Sequence, residues 1–246
     1  MKLLLDVGNS SVKWALVEDG RFTRRGRFLH RDGDITQLAE AAWSAIRPRC
    51  VVVANVAGAQ LGGQLQDWMQ RHWQLAPRWL QSAPMAAGVR NGYAEPLALG
   101  IDRWAAMVGA FAKYHTAVCV VDCGTAITLD LVEADGSHRG GLILPGIGLM
   151  QQALRGNTAN LASAAAGGAV RLLADTTGDA IVSGSVYAAV AAIGQISRLM
   201  AAQCTCEPLL LLTGGDAERV VALLDAPCHV EPELVLHGLD ILSGEC

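Results

Sequence analysis

The chain has 246 residues and a formal net charge of −4, with 52% of its residues hydrophobic and 17% charged. That length holds one large domain or two smaller ones, and the composition excludes a disordered chain. The acidic balance gives no overall pull toward nucleic acid or an anionic membrane, and no apolar run approaches the ~20 residues expected of a membrane span.

Residues 3–20, LLLDVGNSSVKWALVEDG, begin with an apolar run that predicts a buried strand. Asp6 at so early a position argues against a secretory leader. An Asp6-Val7-Gly8 turn follows, then a second apolar run ending in Asp19-Gly20, a hairpin signal that predicts a third strand at Arg21–Leu29. A strand is expected at Val51–Ala54, and helices at Leu61–His72 and from about Ile101 to Tyr114.

Residues 119–136, CVVDCGTAITLDLVEADG, then repeat the opening. At a constant offset of 116, Asp6 falls on Asp122, Gly8 on Gly124, Asp19 on Asp135 and Gly20 on Gly136. A third strand is again expected, at Ser137–Leu144, and a long helix from about Asp179 to Ala202. Small residues in that helix (Gly184, Ser185, Ala188, Ala189, Ala192) suit close approach of another helix, in the core or at a subunit interface. The chain closes with a strand at Leu209–Leu212, a Thr213-Gly214-Gly215-Asp216 loop and a helix at Ala217–Leu224. A strand–DxG–strand–DG–strand unit opening each half predicts an α/β protein with two mixed sheets, a duplicated fold with domains at 1–114 and 115–246 and a cleft between them.

Phosphoryl transfer needs a carboxylate for magnesium, backbone N–H groups around the phosphates, and a cation. The first turn supplies all three types: Asp6 ends the strand, Gly8 leaves room for a phosphate against the backbone, Asn9, Ser10 and Ser11 add donors, and Lys13 adds an amine. The second turn repeats Asp122, Gly124 and Thr125 without the lysine. No GxxxxGK[ST] occurs, and no GxGxxG follows a strand. The seven cysteines are scattered and odd in number, which suits reduced thiols, and Cys204-x-Cys206 lacks the second pair that a zinc site needs.

Duplicated units of this kind resemble the superfamily of acetate and sugar kinases, heat-shock protein 70 and actin, with its ribonuclease H-like fold. Four segments are similar to type III pantothenate kinases (the Bvg accessory factor-like family): Asp6-Val7-Gly8-Asn9-Ser10-Ser11-Val12-Lys13, Gly100-Ile101-Asp102-Arg103, Asp122-Cys123-Gly124-Thr125-Ala126-Ile127-Thr128, and Gly140-Gly141-Leu142-Ile143-Leu144-Pro145-Gly146. They stand in the family's order and spacing across essentially the whole chain. The resemblance implies ATP-dependent phosphorylation of the primary hydroxyl of pantothenate, the first step toward coenzyme A, by a cytoplasmic homodimer.

Carried over by residue, the resemblance makes Asp102 the general base, Arg103 the grip on the pantothenate carboxylate, and Gly100, Ile101 and Tyr93 parts of the substrate pocket. Asp6 through Lys13, Gly124 and Thr125 would bind ATP, with Asp6 holding magnesium directly or through water. Asp122 would hold a monovalent cation, potassium or ammonium. Gly214 and Gly215 fit an approach to adenosine. Thr177 matches a threonine near the substrate, reaching from the partner subunit. Here the family usually has asparagine before the threonine and this chain has Thr176, and Ser10 replaces a commoner threonine. Two other readings stay open: a kinase of the same fold with another hydroxylated acceptor, and a non-enzymatic transcriptional accessory factor. For the latter, the basic cluster Arg21, Arg24, Arg25, Arg27 and Arg31 is the patch that would meet nucleic acid; a solvated, charged strand explains it as well.

Overall fold

The computed structural model describes residues 1–157 and 168–244 and forms two compact units. The first comprises Met1–Lys113 together with the C-terminal segment from Glu233, and the second Tyr114–Pro232. The break after residue 113 falls beside the expected boundary. The C-terminal helix does not follow the second half, where the sequence reading left it, but groups with the first.

In the first unit, strands β1 (Lys2–Val7), β2 (Ser11–Glu18) and β3 (Arg21–Leu29) are followed by helix α1 (Ile35–Trp43), strand β4 (Cys50–Asn55), helix α2 (Ala59–Trp73) and the short strand β5 (Arg78–Trp79). The sheet order is β3-β2-β1-β4-β5. The first three strands run antiparallel, and β4 and β5 join parallel to β1. Asp19 and Gly20 both take positive φ (49° and 72°), the backbone of a tight hairpin whose twist matches its strands. Side chains alternate across β1: Leu3, Leu5 and Val7 meet Trp14, Trp43, Trp68 and Leu65 in one core, while Leu4 and Asp6 face the other side. Asp34 begins α1 because its Oδ1 accepts from the backbone N–H of Thr36 (2.8 Å) and Gln37 (3.3 Å). A two-stranded hairpin, β6 (Met85–Ala86) and β7 (Val89–Arg90), precedes helix α3 (Ile101–Tyr114).

The second unit repeats the plan. Strands β8 (Val118–Cys123), β9 (Ala126–Val132) and β10 (His138–Pro145) lead to helix α4 (Ile147–Asn157), helix α5 (Thr177–Ala201), strand β11 (Leu209–Thr213), helix α6 (Ala217–Val221) and strand β12 (His229–Val230). The order β10-β9-β8-β11-β12 matches the first sheet position for position. Cys119, Val121, Leu129, Leu131, Leu210 and Leu212 pack against Val186, Ala189 and Ile193 of α5. A buried pair, His138 Nε2 to Asp130 Oδ1 at 3.0 Å, joins β9 and β10 beside a bulge.

The repeat differs at its turns. Between the paired residues Val7 and Val12 lie four residues, Gly8–Ser11; between Cys123 and Ile127 lie three, Gly124–Ala126. The offset of 116 therefore holds through each DxG and slips by one after it.

Helix α7 (Leu234–Ser243) completes the first unit. It packs on β1 and β4, and Lys2 Nζ donates to Ser243 Oγ (2.7 Å) and pairs with Asp240 (2.7 Å). Against α3 it comes so close that Gly109 and Gly238 meet backbone to backbone. The sequence pattern missed α7, α1 and α4, all short helices of 9 to 11 residues, although Asp34 is a cap signal for α1.

Two expectations are corrected here. Contrary to the reading that no segment could span a membrane, α5 is long and apolar enough to cross one. Its buried Ile181, Val186, Ala189 and Ile193 line the core of the second unit, which accounts for its composition. Among the described cysteines, 119, 123, 204, 206 and 228 are free as expected, whereas Cys50 is disulfide-bonded. Cys246 lies outside the described residues.

Candidate active site

In the first unit the strand ends carry a carboxylate and an amine on adjacent positions. Asp6, at 8% exposure, is the direct cross-strand partner of Lys13, so both side chains project from the same face of the β1–β2 pair. The turn between them is closed by Gly8 N–H donating to Ser11 carbonyl (3.0 Å), with Asn9 and Ser10 exposed at its tip and Ser11 and Val12 entering β2. Val7 carbonyl accepts from Val56 N–H (3.0 Å), which ties the turn to the loop after β4.

Gly100, Ile101, Asp102 and Arg103 form the first turn of α3, where the helix dipole favours negative charge. Asp102 Oδ1 accepts from the backbone N–H of Arg103 (2.8 Å). A side chain at position 100 would put its Cβ 2.6 Å from that oxygen, so glycine leaves the carboxylate its space. Arg103 is 7% exposed, and Ile101 is buried beside it. Arg103 Nη1 donates to Tyr93 Oη (2.6 Å), and its guanidinium carbon lies 5.5 Å from the Tyr93 ring centroid. A guanidinium presents its N–H donors in a planar fork, the geometry that matches a planar anion.

Tyr93 is positioned by residues that sequence reasoning passed over. Asn91 Oδ1 accepts from Tyr93 N–H (3.0 Å), while its Nδ2 donates to the carbonyls of Ala83 (3.2 Å) and Pro96 (3.1 Å). Ser82 Oγ donates to Leu99 carbonyl (2.8 Å) just before α3. The Asn91-Gly92 pair was the available signal, since asparagine before glycine often orders its own turn.

In the second unit three loops converge on Asp122 at the end of β8. Gly124 N–H donates to Ala126 carbonyl (3.0 Å), Gly146 N–H to Thr125 carbonyl (3.0 Å) and Asp216 N–H to Cys123 carbonyl (2.9 Å). Gly214 sits at φ +94°, and a Cβ there would lie 2.4 Å from Asp122 Oδ1 and 2.6 Å from the Cys123 carbonyl oxygen. Gly146 is equally confined, its Cβ position being 2.3 Å from the Gly124 carbonyl oxygen. The structure thus brings Asp122, Gly124, Thr125 and Gly214 together; Gly215 is the exposed residue beside them. Thr213, the register partner of Asp122 across the parallel β8–β11 pair, is fully buried and its Oγ1 has no hydrogen-bond partner. An orphaned hydroxyl beside a carboxylate and turn carbonyls is an oxygen-rich set of the kind a hard cation takes. Cys123 is packed in the core of the unit, and burial pushes its thiol up to about 12.

Thr177 stands exposed in the first turn of α5, whose N-cap is Thr176, accepting from Asp179 N–H (3.1 Å). The described contacts do not bring it to the other candidate residues of its unit. Among the described residues no three histidine, cysteine or carboxylate side chains cluster as a metal site. A divalent ion would therefore rest on single carboxylates and phosphate oxygens, as magnesium commonly does.

Compared with known proteins, residues 2–199 match the family model of type III pantothenate kinase. The chain belongs to the type III pantothenate kinase family. The type III pantothenate kinase of Nitrosococcus oceani is 41% identical over 245 residues, covering 97% of this chain and 92% of that one. That of Azoarcus sp. is 43% identical over 248 residues, covering 99% and 91%. Solved structures agree on the fold at low identity: a Baf family protein from Campylobacter jejuni has a TM-score of 0.60 at 21% identity, covering 96% of this chain and 94% of that one. Component A of the Acidaminococcus fermentans (R)-2-hydroxyglutaryl-CoA dehydratase has a TM-score of 0.51 at 16% identity, covering 99% and 96%.

Proposed function

We propose that this member of the family transfers a phosphoryl group from ATP to the primary hydroxyl of pantothenate, giving 4′-phosphopantothenate, with Asp102 as the general base. The observation that carries the assignment of roles is the first turn of α3, where a buried Arg103 braced by Tyr93 adjoins the Asp102 carboxylate. Arg103 would grip the substrate carboxylate and so orient its hydroxyl toward Asp102. The carboxylate would accept the hydroxyl proton late, as the phosphoryl group arrives. Such a base contributes about 10²–10⁴-fold.

Bound ATP supplies the phosphoryl group. The Gly8–Ser11 turn offers backbone and side-chain donors to its phosphates, and the longer first turn favours this copy for that task. Lys13 adds positive charge beside Asp6, which would hold magnesium directly or through water. In the second unit Gly124, Thr125, Gly214 and Gly215 would meet the nucleotide. Asp122 would keep a monovalent cation, potassium or ammonium, to which the orphaned Thr213 hydroxyl adds an oxygen ligand. We further infer a cytoplasmic homodimer in which Thr177 reaches the partner's substrate; the exposed Gly184 and Ala188 of α5 suit such pairing.

The test is ADP release with ATP, magnesium and potassium, comparing pantothenate with a panel of sugars, in the wild type and in Asp102→Asn. Asparagine keeps the oxygen that accepts from Arg103 N–H, so the fold should stand while turnover falls by about a hundredfold or more. Wild-type turnover in that variant would remove Asp102 from the mechanism, and release driven by a sugar but not pantothenate would change the acceptor.

A further inference from the structure

The basic run on β3 is left unexplained by the fold, and its arginines do not share one fate. Arg25 is ion-paired to Glu233 of the same unit. Arg31 has Asp32 at a loose 3.9 Å, and Arg27 has no ion-pair partner among the described residues. Arg27 and Arg31 both line a cavity of about 360 Å³, together with Asn9, Ser10, Leu29 and His30. No carboxylate lines it. Two guanidinium groups around one concavity, with no counter-charge on its wall, draw anions from solution.

The cavity is also built onto the phosphate turn. His30 N–H donates to Ser10 carbonyl (3.1 Å), so the segment that follows β3 is stapled to the turn. The staple fixes Arg27 and Arg31 beside the donors of Asn9 and Ser10. The volume lies at the small end of ligand pockets, which run from about 300 Å³.

We propose that this cavity binds a phosphate group, with Arg27 and Arg31 as its cationic wall and the Asn9–Ser10 turn as its floor. The inference rests on the phosphate-turn reading above, because the two share Asn9 and Ser10. The phosphate comes either from the nucleoside triphosphate or from free orthophosphate acting as a separate ligand. Arginine suits either, since its fork matches phosphate oxygens in pairs.

The experiment measures affinities for ATP and for inorganic phosphate by titration calorimetry on the full chain. It compares wild type, the double variant Arg27→Gln/Arg31→Gln, the control Arg24→Gln and, separately, Lys13→Ala. Loss of two charge-assisted contacts should weaken binding by at least about tenfold. A loss for ATP assigns the cavity to the nucleotide; a loss for orthophosphate alone makes it an independent anion site. Affinities for both ligands within twofold of wild type in the double variant would overturn the proposal, as would an equal loss in Arg24→Gln, which leaves the cavity wall intact. Lys13 does not line the cavity but is the cross-strand partner of both Asp6 and Arg27, so Lys13→Ala reports on the phosphate role given to its amine. If it keeps full ATP affinity while the double variant loses it, that role of Lys13 fails and the cavity stands.

Discussion

Replacement of Gly238 by alanine probes the contact that holds α7 to α3. The new Cβ would lie 1.8 Å from the Ala105 carbonyl oxygen, 2.4 Å from its carbon and 2.9 Å from its Cα. Ordinary contact begins near 3.4 Å, so the helices must part by about 1.6 Å along that direction. The obstructing atoms are backbone, and no side chain can swing aside. Reciprocal crowding at Gly109, whose Cβ position is 2.7 Å from Leu234 carbonyl oxygen, denies α7 an easy slide. Moving α7 also lifts its buried Leu234, Val235, Leu236 and Leu239 from the core. Overpacking of this kind costs about 3 kcal/mol, at the upper end of the usual range. At about 2–4 °C per kcal/mol for a chain of this size, Tm should fall by about 6–12 °C in a calorimetric melt. Gly63→Ala, at an exposed site on α2 with open space around it, should instead raise Tm slightly, through a gain of about 0.4–1 kcal/mol. A Gly238→Ala protein melting within about 1 °C of wild type would refute the packing argument.

Arg103→Lys removes the paired fork and the stacking over Tyr93 while keeping the charge, and should raise KM for pantothenate about tenfold or more with a smaller change in kcat; steady-state kinetics decides. Thr213→Val removes a buried hydroxyl without a partner, so thermal stability should hold or improve, while activation by potassium should weaken if the hydroxyl serves the cation. A destabilised variant with unchanged potassium dependence would contradict that role. Burial pushes the Cys119 and Cys123 thiols up to about 12. Iodoacetamide at neutral pH should therefore label exposed Cys206 and spare both, as peptide mass mapping can check.

Much of the fold was legible because its signals are local. Leu3–Leu5 and Val118–Val121 are continuous apolar runs that open their strands, and Asp19-Gly20 carries its own turn chemistry, so β3 emerged with its observed bounds, Arg21–Leu29. The second Asp-Gly behaves differently: Gly136 takes positive φ and Asp135 does not, and the hairpin closes through Glu133 N–H to Ser137 carbonyl. Within the candidate site, Asp102 and Arg103 were readable as a motif, whereas Asn91, Ser82, Gly146 and Thr213 were not. Their importance depends on the partners they meet, and those partners come from other elements.

The duplicated strand–DxG–strand units, the two DxG turns and the family are legible along the chain, because short-range periodicity and motif spacing are local. Tertiary structure alone decided the rest. It set Lys13 opposite Asp6 through strand register, and it brought Gly214 and Gly146 against the Asp122 turn through sheet order and loop closure. It returned the C-terminal helix to the first unit through the Gly109–Gly238 contact. Such pairings join residues far apart in sequence, and what selects them is the burial and hydrogen bonding available only once both partners are in place.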